Sequence, residues 1–207
     1  MATLVPTPVG DARWTVSPAR RGRATLVLGH GAGGGIESRD LSALAGVLPG
    51  RGVTVVRVES PWRVAGRRVA TAPPTLDTAW VAVLGELDVA GPLVVGGRSA
   101  GARVACRTAR TVGAVGVVAL AFPLHPPGRP ERSRAAELLG AGVPTLVVQG
   151  ERDAFGGPDR FPAGTELAPV PFADHSFRVP AAARAAGADP VDTVVRAVSD
   201  WLDRLLG

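Results

Sequence analysis

The chain has 207 residues, the size of one domain or at most two small ones, and 46% of them are hydrophobic, enough for a sizeable core and without the composition of a disordered chain. All 23 basic residues are arginine and outnumber the 18 acids, for a net charge of +5. They are interleaved with acids, with neither a basic run nor a series of aromatics to stack bases, so nucleic acid is not an expected partner. Cys106 stands alone, which excludes an internal disulfide and any cysteine metal cluster.

The opening MATLVPTPVGDARW lacks the basic-then-apolar order of a secretory leader, and no apolar run approaches the length of a membrane span. The expectation is a cytoplasmic protein without a membrane partner. Thr3–Val5 and Arg13–Val16 read as an edge hairpin. Ala24–Leu28 is an apolar run suited to a buried parallel strand, and it ends in a glycine-rich loop, residues 29–35. A helix capped by Ser38 or Asp40 then carries Leu41, Leu44, Ala45 and Leu48 on one face.

Val53–Val58 is the next strand. An arginine- and proline-rich loop from Glu59 to Pro74 leads to a helix bearing Trp80, Val81, Val83, Leu84 and Leu87. Leu93–Val95 runs into Gly96-Gly97-Arg98-Ser99-Ala100-Gly101 and an Ala-rich helix, where Cys106 reads as a small core residue. Val115–Leu120 is a further strand, followed by the loop from Phe122 to Gly128 and a short helix from Glu131 to Leu139. The strand Pro144–Gln149 leads into Gly150-Glu151-Arg152-Asp153. Glu166–Val170 is the last strand, with Asp174-His175 beyond it, and Val191–Leu206 is an amphipathic closing helix. Alternating strands and helices predict an α/β fold with a mostly parallel, doubly wound sheet, as one domain over residues 1–207.

Gly97-Arg98-Ser99-Ala100-Gly101 fits G-x-S-x-G, the nucleophile elbow of α/β-hydrolases. A strained turn between strand and helix lifts the serine hydroxyl above the sheet, and glycines two residues to either side avoid collision with neighbouring backbone. Asp153 and His175 each follow a later strand, on the side of such a sheet where ligands bind. Serine is a poor nucleophile until a histidine takes its proton, and the histidine needs a carboxylate to hold its tautomer. Ser99, Asp153 and His175 stand in the chain order of that triad. Asp174 is the rival acid, but it adjoins His175 and points to the opposite side of an extended segment, so a structural role is expected.

Gly29-His30-Gly31-Ala32-Gly33-Gly34 admits two readings. As G-x-G-x-x-G it suggests a dinucleotide site, with Glu59 as the ribose acid, although Glu59 lies 30 residues past Gly29 and the usual separation is about 20. As an HG-type loop it supplies an oxyanion N–H, and the downstream triad favours this.

These segments, LGHGAGG, GGRSAGARVA, FPLHPPGRPE, VVQGERDAFG and ADHSF, resemble a compact α/β-hydrolase of the dienelactone-hydrolase-like kind. FPLHPPG is a narrower marker, similar to a small group that includes a testis-expressed hydrolase-like protein and a subunit of a chromatin acetyltransferase complex. The resemblance implies Ser99 as nucleophile, Asp153 as acid and His175 as base, with the N–H groups of Ala32 and Ala100 as oxyanion hole. Dienelactone hydrolase itself uses a cysteine nucleophile, so its substrate is not implied. The implied substrate is a small acyl ester, lactone or thioester, with no metal and no cofactor. A non-catalytic interaction module on the same fold is the competing reading.

Three further residues are candidate substrate contacts. His30 sits in the glycine loop, and Arg98 flanks the nucleophile as Arg152 flanks Asp153. His125 lies between prolines, where it either touches substrate or ties its own loop together. The short segment from Phe122 to Pro130 leaves no room for a large cap, so an open, shallow site for short acyl groups is expected.

Overall fold

The computed structural model describes residues 2–207. Six apolar runs rich in valine and leucine become neighbouring parallel strands, because helices cover both faces of the sheet they form. They are β3 (Ala24–Gly29), β4 (Val53–Glu59), β5 (Leu93–Arg98), β6 (Gly116–Leu120), β7 (Thr145–Gly150) and β8 (Glu166–Val170). The hairpin β1 (Ala2–Val5) and β2 (Ala12–Ser17) is added antiparallel at the β4 edge, giving the order β1-β2-β4-β3-β5-β6-β7-β8.

Successive side chains leave opposite faces of a strand, and the two cores follow that alternation. Val27, Val56, Val95 and Val117 face α3 (Pro73–Gly85), α4 (Ala100–Thr108) and α5 (Ala135–Leu139). Leu26, Val55, Val94 and Val118 face α1 (Arg39–Val47) and α7 (Pro190–Leu206). Asp189 caps α7 by accepting from the N–H groups of Val191 and Asp192, with Pro190 in the first turn. Cys106 is buried in the first core, and burial pushes its thiol up to about 12.

The chain turns from β3 outward to β4 and then back past β3 to β5. The segments leaving β3 and β5 are therefore neighbours at the reversal, the position where open α/β sheets bind ligands. Three elements depart from expectation. The loop from Glu59 to Pro74 contains a one-turn helix, α2 (Pro61–Val64). The helix expected from Glu131 begins only at Ala135, because the Arg134 N–H bonds the Leu124 carbonyl at 2.7 Å rather than a carbonyl one turn back. A short α6 (Ala181–Ala185), absent from the sequence reading, fills the stretch before α7. Among the described residues no helix is long and apolar enough to cross a membrane.

Candidate active site

Ser99 sits between β5 and α4 with φ 52°, a left-handed backbone that serine tolerates only when its surroundings hold it there. The Ser99 N–H is fixed to the Leu120 carbonyl at 2.9 Å. A Cβ on either Gly97 or Gly101 would lie 2.5 Å from the Gly29 carbonyl oxygen, so both glycines are required for β3 to approach the elbow.

The Ser99 hydroxyl lies 3.0 Å from His175 Nε2, and His175 Nδ1 lies 2.7 Å from Asp153 Oδ2. A carboxylate only accepts, so Nδ1 carries the proton and Nε2 is left to accept from Ser99. Three elements thus meet over 76 residues of sequence. The Asp153 side chain is fully buried. Its Oδ1 accepts from the Phe155 N–H at 2.8 Å, and its Oδ2 also accepts from Gln149 Nε2 at 2.9 Å. Gln149 is held in turn by the Gly156 carbonyl at 2.7 Å. The Phe155 ring covers His175, with centroids 4.2 Å apart. Sequence reasoning missed Gln149 and Phe155; the amide of Gln149, following the apolar Leu146–Val148 in β7, was the one available signal.

Asp174 does not touch the His175 ring. Its Oδ1 accepts from the N–H groups of Ser176 and Arg178, which closes the turn that carries the histidine.

The three candidate substrate contacts fare differently. His30 is buried, and its ring is fully engaged: Nδ1 donates to the Gly31 carbonyl at 2.8 Å and Nε2 accepts from the Ser60 N–H at 3.0 Å. Burial lowers its pKa below the ordinary 6.5, against a smaller upward pull from the bond to Gly31. The bonds to Gly31 and Ser60 pin the glycine loop to the end of β4, and His30 also lines the apolar slot that adjoins Ala32. His125 donates from Nδ1 to the Pro126 carbonyl at 3.0 Å and is absent from the walls of the cleft at Ser99, so it ties its own loop together. Arg98 does line that cleft, but its guanidinium bonds the His175 carbonyl at 2.8 Å and approaches Asp40 at 3.4 Å. Arg152 is exposed and outside the cleft.

Ala32 and Ala100 both face the cleft, and neither N–H has a hydrogen-bond partner among the described residues. The cleft, with a volume of about 390 Å³ open to the centre of a water molecule, is walled by Ser99, His175, Phe155, Pro123, Arg103 and Arg134. Gly31, Ala32 and Ala100 also wall a second, apolar slot bounded by Trp62, Leu76, Trp80, Val83 and Val104. On the same measure the slot holds only about 20 Å³, room for one or two water-sized groups.

The glycine loop does not open a helix, since α1 begins only at Arg39, and Glu59 is paired with Arg13 at 3.2 Å. Both features run against a dinucleotide site. Among the described residues no group of three or more His, Cys, Asp or Glu side chains is arranged to hold a metal ion.

No curated protein matches the sequence. Among solved structures, Est1E from Butyrivibrio proteoclasticus superposes with a TM-score of 0.74 over 99% of this chain and 98% of its own, at 14% identity. Dienelactone hydrolase from Anabaena variabilis gives 0.74 over 99% and 96%, at 18% identity. An α/β serine hydrolase without a lid from Xanthomonas campestris gives 0.67 over 97% and 94%, at 20% identity. Likeness at these identities is likeness of fold. The family model for the alpha/beta hydrolase domain matches residues 22–203, nearly the whole chain from β3 into the last turn of α7. By that match, the chain belongs to the α/β-hydrolase family.

Proposed function

We propose that the protein is a serine hydrolase of small acyl esters, lactones or thioesters, acting as one domain through an acyl-enzyme on Ser99. The observation that carries this reading is the unbroken run of contacts from Ser99 Oγ to His175 Nε2 at 3.0 Å and from His175 Nδ1 to Asp153 at 2.7 Å.

In this scheme Ser99 Oγ attacks the substrate carbonyl carbon while His175 Nε2 takes the hydroxyl proton. The negative charge that develops on the carbonyl oxygen is met by the N–H groups of Ala32 and Ala100, which have no other partner. The tetrahedral species collapses, the bond to the leaving oxygen or sulfur breaks, and His175 returns its proton to that atom. Water then adds to the acyl-enzyme with His175 again as base, releasing the acid and restoring the serine. Asp153 holds the tautomer throughout. The scheme calls for no cofactor.

A fluorophosphonate probe tests the nucleophile. Labelling confined to Ser99, and abolished in a folded Ser99→Ala protein together with turnover of aryl acetates, is the expected result. Ester turnover that survives Ser99→Ala would overturn the scheme. A folded wild type that neither labels nor turns over esters would favour the non-catalytic interaction module instead.

A further inference from the structure

The cleft in front of Ser99 is walled by three arginines, Arg98, Arg103 and Arg134, and by no aspartate or glutamate. Two of the three are already committed. Arg98 is held by Asp40 and the His175 carbonyl. Arg103 makes a two-pronged pair with Glu137, at 2.9 and 2.6 Å, and Glu137 is shared with Arg107, itself bound to Asp77. Burial alone would raise the Glu137 carboxyl, but the bonds from Arg103 and Arg107 outweigh it and hold its pKa below 4.5.

Arg134 is different. Its guanidinium makes one hydrogen bond, from Nη1 to the Pro123 carbonyl at 2.8 Å, and no carboxylate lies within ion-pair distance among the described residues. A guanidinium carries five N–H donors, so four remain to be filled. The group is half-buried beside like charge: burial and then Arg103 push its pKa down from the ordinary arginine value, against the pull of Glu137. A cation held there without a counter-ion, in a cleft that also presents the free N–H donors of Ala32 and Ala100 and has no carboxylate in its walls, is complementary to an anion.

The reaction scheme says which arm of the substrate carries the charge. A carbonyl oxygen bonded to the Ala32 and Ala100 N–H groups lies where the two hollows share walls. One arm enters the slot, which has no charged wall; the other enters the cleft. His175 lines the cleft and must deliver its proton to the leaving atom, so the leaving group occupies the cleft. We infer that Arg134 binds an anionic group, carboxylate or phosphate, on the leaving-group side of the substrate, so that the preferred substrate is a short acyl ester or thioester of an acidic alcohol or thiol. This rests on the hydrolase reading above and names its substrate class.

Matched acetate esters provide the test. At low ionic strength, 3-acetoxybenzoate and 3-acetoxyphenyl phosphate are compared with neutral 3-acetoxybenzamide, and with the 3-carbamoylphenyl monoester of succinate, which carries its charge on the acyl arm. A kcat/KM preference of about tenfold or more for an anionic leaving group is expected, from a charge-assisted hydrogen bond, and it should shrink at high salt. Whichever of benzoate or phosphate is preferred identifies the acid. In Arg134→Gln the ratio of anionic to neutral kcat/KM should fall to within about twofold of unity. Arg134→Lys should keep part of it, and Arg132→Gln, at an exposed neighbour, should keep all of it. Equal rates for charged and neutral leaving groups, a preference for acyl-side charge, or a preference that ignores Arg134→Gln would each overturn the inference.

A calorimetric arm separates this from failure of the hydrolase scheme. Binding of 3-hydroxybenzoate, phenyl phosphate and 3-hydroxybenzamide to Ser99→Ala, with and without Arg134→Gln, needs no chemistry. Tighter binding of an anion that depends on Arg134 supports the subsite even without turnover. Equal binding of all three overturns it even in an active enzyme.

Discussion

Arg98, the residue before Ser99, donates from Nη2 to the carbonyl of His175 at 2.8 Å, so the elbow itself holds the loop that carries His175. Its Nε lies 3.4 Å from the carboxylate of Asp40, which is buried in the first turn of α1. Arg98→Met keeps the aliphatic stem and loses both contacts. It should lower kcat by about tenfold or more, because a small misplacement of the base is costly, and should destabilise the fold by roughly 3 kcal/mol, because Asp40 is left buried and unpaired. The double variant Arg98→Met/Asp40→Leu should recover most of that stability without recovering kcat. Recovery of both in denaturation and steady-state assays would reduce Arg98 to a structural ion pair.

The two aspartates near His175 have opposite work. Asp153 accepts from His175 Nδ1, while Asp174 closes the turn beneath it. Asp153→Asn should lower kcat on the scale of about 10⁴, as when a triad acid loses its charge. Asp174→Asn keeps an acceptor oxygen for the Ser176 and Arg178 N–H groups and should leave kcat within a few-fold; Asp174→Ala should cost about 1–2 kcal/mol of stability. Gln149→Leu, which removes the second donor to Asp153 Oδ2, should fall between the two aspartate-to-asparagine variants in kcat. The reverse order for the aspartates, measured at saturating substrate, would assign the acid to Asp174.

His30 gives the fold a pH dependence of known sign. Its folded pKa is below the ordinary 6.5, mainly through burial, so the unfolded chain takes up a proton before the native one does. The stability it contributes is complete above about pH 6.5 and is lost as pH falls from there through the folded value. Protonation also ends acceptance from the Ser60 N–H, which frees the loop bearing Ala32. Urea unfolding between pH 7.5 and 5.5 should show wild type losing stability more steeply than His30→Gln. Parallel slopes would mean that the proton uptake lies elsewhere.

The meeting of Ser99, Asp153 and His175 was readable because each lies within five residues of the end of a strand, and a parallel sheet collects such positions at one edge. The strands were readable because runs buried on both faces stay apolar, as in β6. What stayed hidden depends on contacts between distant segments. Arg98 looks like any of 23 arginines until its bond to His175, 77 residues away, is seen. The engagement of His30 needs the Ser60 N–H, 30 residues on, and the want of a counter-ion at Arg134 needs the pairing of all its neighbours. Helix α2 was masked by its composition, a four-residue PWRV turn inside an arginine- and proline-rich loop.

Acyl length provides the remaining prediction. The slot behind Ala32 and Ala100 offers about 20 Å³ to water centres between Leu76, Trp80 and Val104, room for the methyl of an acetyl group or one carbon more. A longer chain has to displace packed side chains or stay in water, forgoing about 0.8 kcal/mol for each methylene left unburied. With a fixed leaving group, kcat/KM should be highest for acetyl and propionyl and decline through butyryl and hexanoyl. Leu76 is only partly buried, so Leu76→Ala enlarges the slot at moderate cost to the core. It should move the optimum toward butyryl, raising the butyryl-to-acetyl ratio by about four- to tenfold. Both parts are needed. A decline that Leu76→Ala does not shift would put the acyl arm outside the slot, and a rise toward hexanoyl in wild type would contradict the narrowness of the slot itself.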